Sequence, residues 1–240
     1  MIRDKNISDL NYNRKYYFLF LRLILFGLLS LFITVISMDE NTRITLVREN
    51  GPIENLTATY YFIVVFIMFV KGGWKYLRNY THLAVLVSVL GFRELDFNAR
   101  FTTMSIWKIK FYLSAHVPLA EKIIGILVTV IILYFVIVCI KKHLRSFLAG
   151  CTRETESILV GISLLFMAMA FILDKMPDPL VNLGKGISSQ FAQSMEEILE
   201  LGVPLVLILS ALSYFSSHPS GGSSLPLSGK KAVSSSNGDN

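Results

Sequence analysis

The chain alternates long apolar blocks with short polar segments, and this pattern predicts its secondary structure. An α-helix needs about 20 mostly apolar residues to cross the roughly 30 Å hydrocarbon core of a bilayer. The apolar residues fill whole blocks and do not form the one-sided stripe of a soluble amphipathic helix. The pattern therefore predicts an all-α, six-transmembrane-helix integral membrane bundle. Its spans are expected at about residues 16–38, 52–70, 80–97, 120–140, 157–173 and 188–215.

The segments outside these blocks complete the predicted organisation. Residues 1–15 form a basic cytoplasmic amino-terminal lead, residues 16–215 the six-span membrane domain, and residues 216–240 a disordered Ser/Gly/Pro-rich tail. The first block lacks a small-residue cleavage site, which predicts a retained signal anchor. From Trp107 to Tyr112, aromatic residues alternate with Lys, a pattern typical of an element that lies on the membrane surface.

Composition supports this class of protein. Hydrophobic residues make up 53% of the 240 residues, only 17% are charged and mean hydropathy is +0.55, whereas a soluble domain carries roughly 25% charged residues. The net charge of +6 does not indicate a nucleic-acid partner, because Lys and Arg of a polytopic protein collect in cytoplasmic loops. We find no nucleic-acid-binding motif, so the expected partner is the lipid bilayer, with oligomeric state left open.

Several common chemistries lack their motifs. Cys139 and Cys151 form no C-x-x-C pair and the four histidines form no H-x-x-x-H pair, which argues against thiolate or polyhistidine zinc sites. The sequence also contains no glycine-rich phosphate loop, G-x-S-x-G elbow or H-E-x-x-H motif. Nucleotide-driven proteins and serine hydrolases are therefore disfavoured.

The distribution of Lys and Arg predicts the orientation of the spans. These residues are more numerous on the side of the amino terminus, with clusters at 71–78 and 141–145, than on the opposite side. The positive-inside rule then predicts a multi-pass protein with both termini in the cytoplasm. Alternation of the spans places many ionisable residues together at the outer level: Glu49, Glu54, Arg93, Glu94, Asp96, Asp174, Glu196, Glu197 and Glu200.

The strongest candidate for function is the block around Arg93, Glu94 and Asp96, which closes the third span. An ionisable group inside a membrane is costly and is usually paired or functional. Glu94 and Asp96 point about 200° apart on a helix, so they share a pocket only if the helix unwinds, for which Gly91 offers a place. The alternative is that Arg93 and Arg100 simply neutralise both carboxylates at the interface.

The sixth span adds a second group of acids. Glu197 and Glu200 are three residues apart and Glu196 and Glu200 four apart, so each pair shares a helix face. Like charges at this spacing repel, which favours binding of a proton or a cation. The alternative is an ordinary solvated helix start. Pro204 is expected to kink this helix.

These residues define a leading hypothesis and two rivals. The first is a lipid-related membrane enzyme with a carboxylate-rich outer cavity, in which Glu94, Asp96, Glu54, Glu197 and Glu200 are the candidate catalytic residues. Arg93, Arg100 and His116 are then the candidate substrate-binding residues, for a lipid or cation ligand. The second hypothesis is a cation- or proton-coupled transporter, or a channel component, that uses the same acids, with a divalent cation as a possible cofactor. The third hypothesis is a non-catalytic membrane-complex subunit.

Two motifs resemble an uncharacterised family of polytopic bacterial inner-membrane proteins. Residues 49–57 are similar to its E-x-G-P-x-E-x-x-T opening of a second span, and residues 93–97 to its R-E-x-D-[FW] block. The resemblance covers about residues 45–105 and implies a cell inner membrane location without an established activity. Asn98 stands where the family pattern has His, so an acid–base role does not carry over to that position.

Overall fold

The computed structural model describes residues 2–48, 51–97, 101–104, 106, 109–150, 154–175 and 189–218. All regular secondary structure in this part of the chain is helical, which confirms the all-α class. In chain order the helices are α1 (Ile2–Ser37), α2 (Glu40–Val47), α3 (Pro52–Asn79), α4 (Thr81–Glu94), α5 (Ile109–Leu113), α6 (Leu119–Gly150), α7 (Thr155–Lys175) and α8 (Ser189–Ser217).

Five helical stretches are long and apolar enough to cross a membrane: Arg14–Ser37, Glu40–Asn79, Leu119–Ala149, Thr155–Asp174 and Phe191–Ser217. The predicted third span corresponds to α4, which has only 14 residues. A helix of that length rises about 21 Å, less than the hydrocarbon core requires. The structure therefore supports a membrane protein with several apolar helices. That exactly six helices cross the membrane remains a prediction.

Helix α3 begins and breaks where its sequence indicates. Pro52 occupies the first turn, where its missing N–H is not needed, and Glu54 follows near the positive end of the helix dipole. The helical path is interrupted at Gly73, whose φ of 69° lies in the left-handed region that glycine adopts without a steric penalty. The basic residues of the cluster at 71–78 therefore lie on either side of a break late in α3.

Contacts at the two ends of the bundle fix how the helices run. At one end, the end of α1 and the starts of α3 and α8 form a buried cluster of Val35, Ile53 and Ile198. At the other end, the Tyr17 hydroxyl in the first half of α1 donates to the Leu212 carbonyl oxygen late in α8 (3.1 Å). Helices α3 and α8 therefore run in the same direction, opposite to α1.

Helices α7 and α8 pack side by side in opposite directions. The Ser163 hydroxyl donates to the carbonyl oxygens of Leu159 and Val203, and the Ser210 hydroxyl donates to that of Glu156. Each buried hydroxyl thus has an acceptor, as an apolar interior requires. Helix α8 continues from Ser189 to Ser217 with Pro204 inside it, since membrane helices tolerate proline where neighbouring groups compensate.

A histidine pair joins the start of α4 to the last part of α6. Nε2 of His82 lies 2.8 Å from Nε2 of His143, and the two rings stack with centroids 5.0 Å apart. His82 is only 4% exposed. A hydrogen bond of this kind needs one ring nitrogen to donate and the other to accept. No local pattern predicts this contact, because the two residues are 61 positions apart.

The segment before α6 only partly follows the predicted surface element. Phe111 was expected in an aromatic membrane belt, and this expectation is wrong for its side chain. Phe111 is fully buried against Ile106 and Val117, because Gly125 of α6 leaves room for its ring. Ile109 and Leu113 are exposed on the same short helix, so α5 presents an apolar surface. Trp107 lies outside the described residues.

Asp39 caps α2 and gives a prediction for local stability. Its Oδ2 accepts a hydrogen bond from the Thr42 backbone N–H (3.0 Å), and hydrogen bonding to Thr42 holds the pKa of Asp39 below its ordinary value of 3.8. The stabilisation is therefore present above that value and is lost as the pH falls through the lower pKa of the folded state. Replacing Asp39 by Ala should speed amide hydrogen exchange across residues 40–47 at neutral pH.

Asn is an equally good capping residue, so Asp39→Asn serves as the control. It should keep slow exchange at neutral pH and should lose the dependence on acid. Equal exchange rates in the parent and Asp39→Ala would show that the cap does not hold α2.

Candidate functional site

An ion-pair group lies where α4 ends beside α8. Nη2 of Arg93 is 2.6 Å from Oε1 of Glu200, and Nε of Arg93 is 3.8 Å from Oε1 of Glu94. The side chain of Glu94 is only 4% exposed and that of Glu200 17%, whereas that of Arg93 is 46% exposed. The guanidinium therefore covers two carboxyl groups that are largely removed from water.

The same two carboxyl groups also interact with each other. Both carboxyl groups lie against the Arg93 guanidinium, so they are close neighbours, and Glu54 and Glu197 interact electrostatically with them. Two ionised carboxylates this close repel each other in a poorly solvated region, which favours a proton on one of them. We call the set Glu54, Tyr61, Arg93, Glu94, Glu197 and Glu200 the carboxylate centre.

Tyr61 belongs to the carboxylate centre and was not among the predicted residues. It is 2% exposed, and its hydroxyl interacts electrostatically with Glu94, Glu200 and Arg93. The signal was present in the sequence, because Tyr61 follows Glu54 by seven residues and so lies on the same face of α3, two turns on. A pattern of charged residues does not include this hydroxyl, because tyrosine is neutral at ordinary pH.

Close helix packing, and not an unwound helix, brings the carboxylate centre together. Helix α4 continues through Gly91 and ends at Glu94, so the unwinding that would let Glu94 and Asp96 share a pocket does not occur at Gly91. A Cβ at Gly91 would lie 3.2 Å from Cβ of Tyr61 and 3.2 Å from Cζ of Phe62. The missing side chain therefore lets α4 approach α3, and Glu94 follows one turn later.

The other predicted site residues do not belong to the carboxylate centre. Asp96 follows α4 in a turn with φ of 46°, where its backbone N–H donates to the Arg93 carbonyl oxygen (2.9 Å). His116 is exposed in the loop before α6, and its backbone N–H donates to Oγ of Ser114 (3.2 Å). Arg100 and Glu49 lie outside the described residues. Glu196 is half-buried next to Glu197 on α8.

The charge balance of the carboxylate centre limits its chemistry. It has four carboxyl groups and the Arg93 guanidinium, so full ionisation would leave excess negative charge in a poorly solvated region. That excess is relieved by protons or by a cation. Among the residues that the structure describes, no group of three or more His, Cys, Asp or Glu side chains has the arrangement of a metal site.

Comparison with known proteins adds no family assignment. No protein-family model matches the chain, and no curated protein or solved structure matches it.

Proposed function

We propose that the chain is a multi-pass inner-membrane protein whose carboxylate centre binds a proton and exchanges it with the outer face in a proton-coupled process. The observation that carries this proposal is that the carboxyl groups of Glu94 and Glu200, which are largely removed from water, share the single guanidinium of Arg93. A buried carboxyl pair of this kind takes up and releases a proton when water or a ligand reaches it. Transport of a solute with the proton is the function class that uses this property.

The position of Arg93 favours proton exchange over binding of an anionic substrate. The sequence suggested that Arg93 holds an anion, but its guanidinium is already committed to Glu200 at 2.6 Å. An incoming anion would have to displace a charge-assisted hydrogen bond and would meet the other carboxylates. A proton or a small cation meets no such barrier.

The path of the chain supports six passes with both termini in the cytoplasm. His82 at the start of α4 contacts His143 in the last part of α6, and Arg93 near its end contacts Glu200 in the first half of α8. Helix α4 therefore contacts α6 at its start and α8 at its end although it has only 14 residues. Our proposal counts α4 as a sixth crossing segment beside the five longer helices, with the start of α1 and the end of α8 on the cytoplasmic side.

A lipid-related enzyme is the second candidate, and one feature beside the carboxylate centre favours it. Phe62, Phe92, Phe97 and Phe101 form a series of ring contacts with centroids 4.8–5.2 Å apart. Phe92, Phe97 and Phe101 are 41%, 44% and 71% exposed. Such a surface suits an acyl chain lying next to Glu94, whose protonated form would act as a general acid.

Charge movement after a pH jump tests the proton proposal. The parent protein in oriented proteoliposomes should give a transient current when the pH of the outer side is changed. Both Glu94→Gln and Glu200→Gln should abolish the current, because the amide cannot take up a proton. Glu121→Gln is the matched control, since Glu121 accepts hydrogen bonds from Thr103 outside the carboxylate centre. The absence of a current from the parent would overturn the proposal and favour the enzyme.

A further inference from the structure

A second site lies at the opposite end of the bundle from the carboxylate centre. A cavity of about 530 Å³ opens between the start of the apolar stretch of α1 and the last parts of α3 and α8. This volume lies within the range of small-molecule and lipid-headgroup sites. The lining residues combine aromatic, aliphatic and polar groups: Tyr16, Tyr17, Phe20, Lys71, Leu209, Leu212, Phe215 and Ser216.

The cavity has an apolar floor held in a fixed position. Leu209 belongs to a buried cluster with Leu21, Leu159 and Val206, so the floor is part of the packed interior. The hydrogen bond from the Tyr17 hydroxyl to the Leu212 carbonyl oxygen ties α1 to α8 across the cavity. The floor at Leu209 is therefore part of the packed interior, whereas the exposed side chains of Tyr16, Phe20 and Lys71 form the open rim.

Lys71 supplies the charge of this cavity. It is exposed and lies two residues before the break at Gly73. Within the described residues, no carboxylate forms an ion pair with Lys71. Lys75 and Arg78 follow on the same helix, so the field at this end of α3 is positive. An ammonium group beside an apolar floor is complementary to an anionic amphiphile.

The position along the helices identifies the source of such a molecule. The cavity lies at the end of three apolar helical stretches, where hydrocarbon gives way to lipid headgroups. Tyr and Lys are the side chains that typically anchor at this depth, and basic residues there attract anionic lipids. A free inorganic anion would gain nothing from Leu209, Leu212 and Phe20.

We propose that this cavity binds one anionic phospholipid from the adjacent leaflet, with Lys71 paired to the phosphate and the upper acyl chain on the apolar floor. The inference does not depend on the carboxylate centre.

Lipid binding to the purified full chain tests the proposal. Native mass spectrometry should detect one tightly bound phosphatidylglycerol, with phosphatidylcholine binding more weakly. Lys71→Gln should weaken phosphatidylglycerol binding about 5-fold, the effect of roughly 1 kcal/mol per basic residue near the membrane surface. Lys75→Gln, the control on the same helix outside the cavity lining, should weaken binding clearly less than Lys71→Gln. Leu212→Trp should abolish binding by filling the cavity without changing charge.

Three results would overturn the proposal. Equal binding of the two lipids would remove the role of charge, and equal effects of Lys71→Gln and Lys75→Gln would indicate non-specific attraction to a basic surface. Competition by millimolar inorganic phosphate would indicate a site for a free anion. Because Lys71 is exposed, Lys71→Gln should fold like the parent. It therefore tests the proposal even if Leu212→Trp fails to fold.

Discussion

Replacing Arg93 by Met should destabilise the protein by about 1–3 kcal/mol. Removing one partner of a buried ion pair costs about 3–5 kcal/mol, because the other charge stays in a low-dielectric region without compensation. Arg93 is 46% exposed whereas Glu94 is 4% exposed, so water reduces the expected loss below that range. The measurement is the free energy of unfolding in lipid or mild detergent.

A double variant separates the charge effect from lost packing. Arg93→Met with Glu200→Gln removes the ion pair and lowers the negative charge, and should recover at least half of the lost stability. The coupling energy of such a cycle is typically about 0.5–3 kcal/mol for groups in contact. If the double variant is as unstable as the sum of both single variants, Arg93 contributes through its hydrocarbon stem and not through its charge.

Replacing Gly202 by Val should cost about 2–3 kcal/mol, because it overfills the contact of α8 with α7 and α1. A Cβ at Gly202 would lie 2.7 Å from Cδ2 and Cε2 of Phe166 and 2.9 Å from Cδ1 of Leu28. The Phe166 ring has little freedom to move between packed helices, so α8 itself must shift. Thermal unfolding in detergent measures the effect.

Gly27→Val is the matched control for this prediction. A Cβ at Gly27 has no atom within 4 Å, so this variant undergoes the same change of side chain without a clash. It should have nearly the stability of the parent, and Phe166→Leu, which replaces the ring by a smaller side chain, should partly rescue Gly202→Val. Equal stability of both glycine variants would contradict the close packing.

The membrane class and the grouping of acids were predictable because both depend on simple properties of the chain. Apolar blocks longer than the bilayer core identify helices that lie in lipid, since lipid-facing positions need no pattern beyond being apolar. Alternation of the spans then places Glu54, Glu94 and Glu200 at one end whatever the details of packing. The structure brings these three residues together, and their role in catalysis or transport stays a prediction.

The pairing within the carboxylate centre was not predictable from sequence spacing. Arg93 forms its close contact with Glu200, which is 107 residues away, at 2.6 Å, whereas its sequence neighbour Glu94 is 3.8 Å away. Which carboxylate Arg93 contacts most closely depends on how α4 packs against α3 at Gly91. Local sequence pattern does not specify this contact between two helix faces. The sequence places Tyr61 on the same face of α3 as Glu54, but its burial depends on that interface.

Positions that pack against glycine were the main source of wrong expectations. The neighbouring aromatic residues suggested that Phe111 lies on the membrane surface. Its ring is instead buried, because Gly125 leaves space for it inside the protein. Gly91 was interpreted as a flexible point, but it is a site of close approach. In both cases the absent side chain matters only once its partner helix is known.

Infrared spectroscopy of the carboxyl C=O stretch, in lipid nanodiscs at neutral pH, decides whether the carboxylate centre holds a proton. We predict a band from a protonated carboxyl group shielded from water in the parent. The band should be lost in both Glu94→Gln and Glu200→Gln, since each removes one of the two groups that share the proton, and should persist in Glu121→Gln. A parent spectrum without this band, or a band unchanged in Glu94→Gln, would contradict a proton held between Glu94 and Glu200.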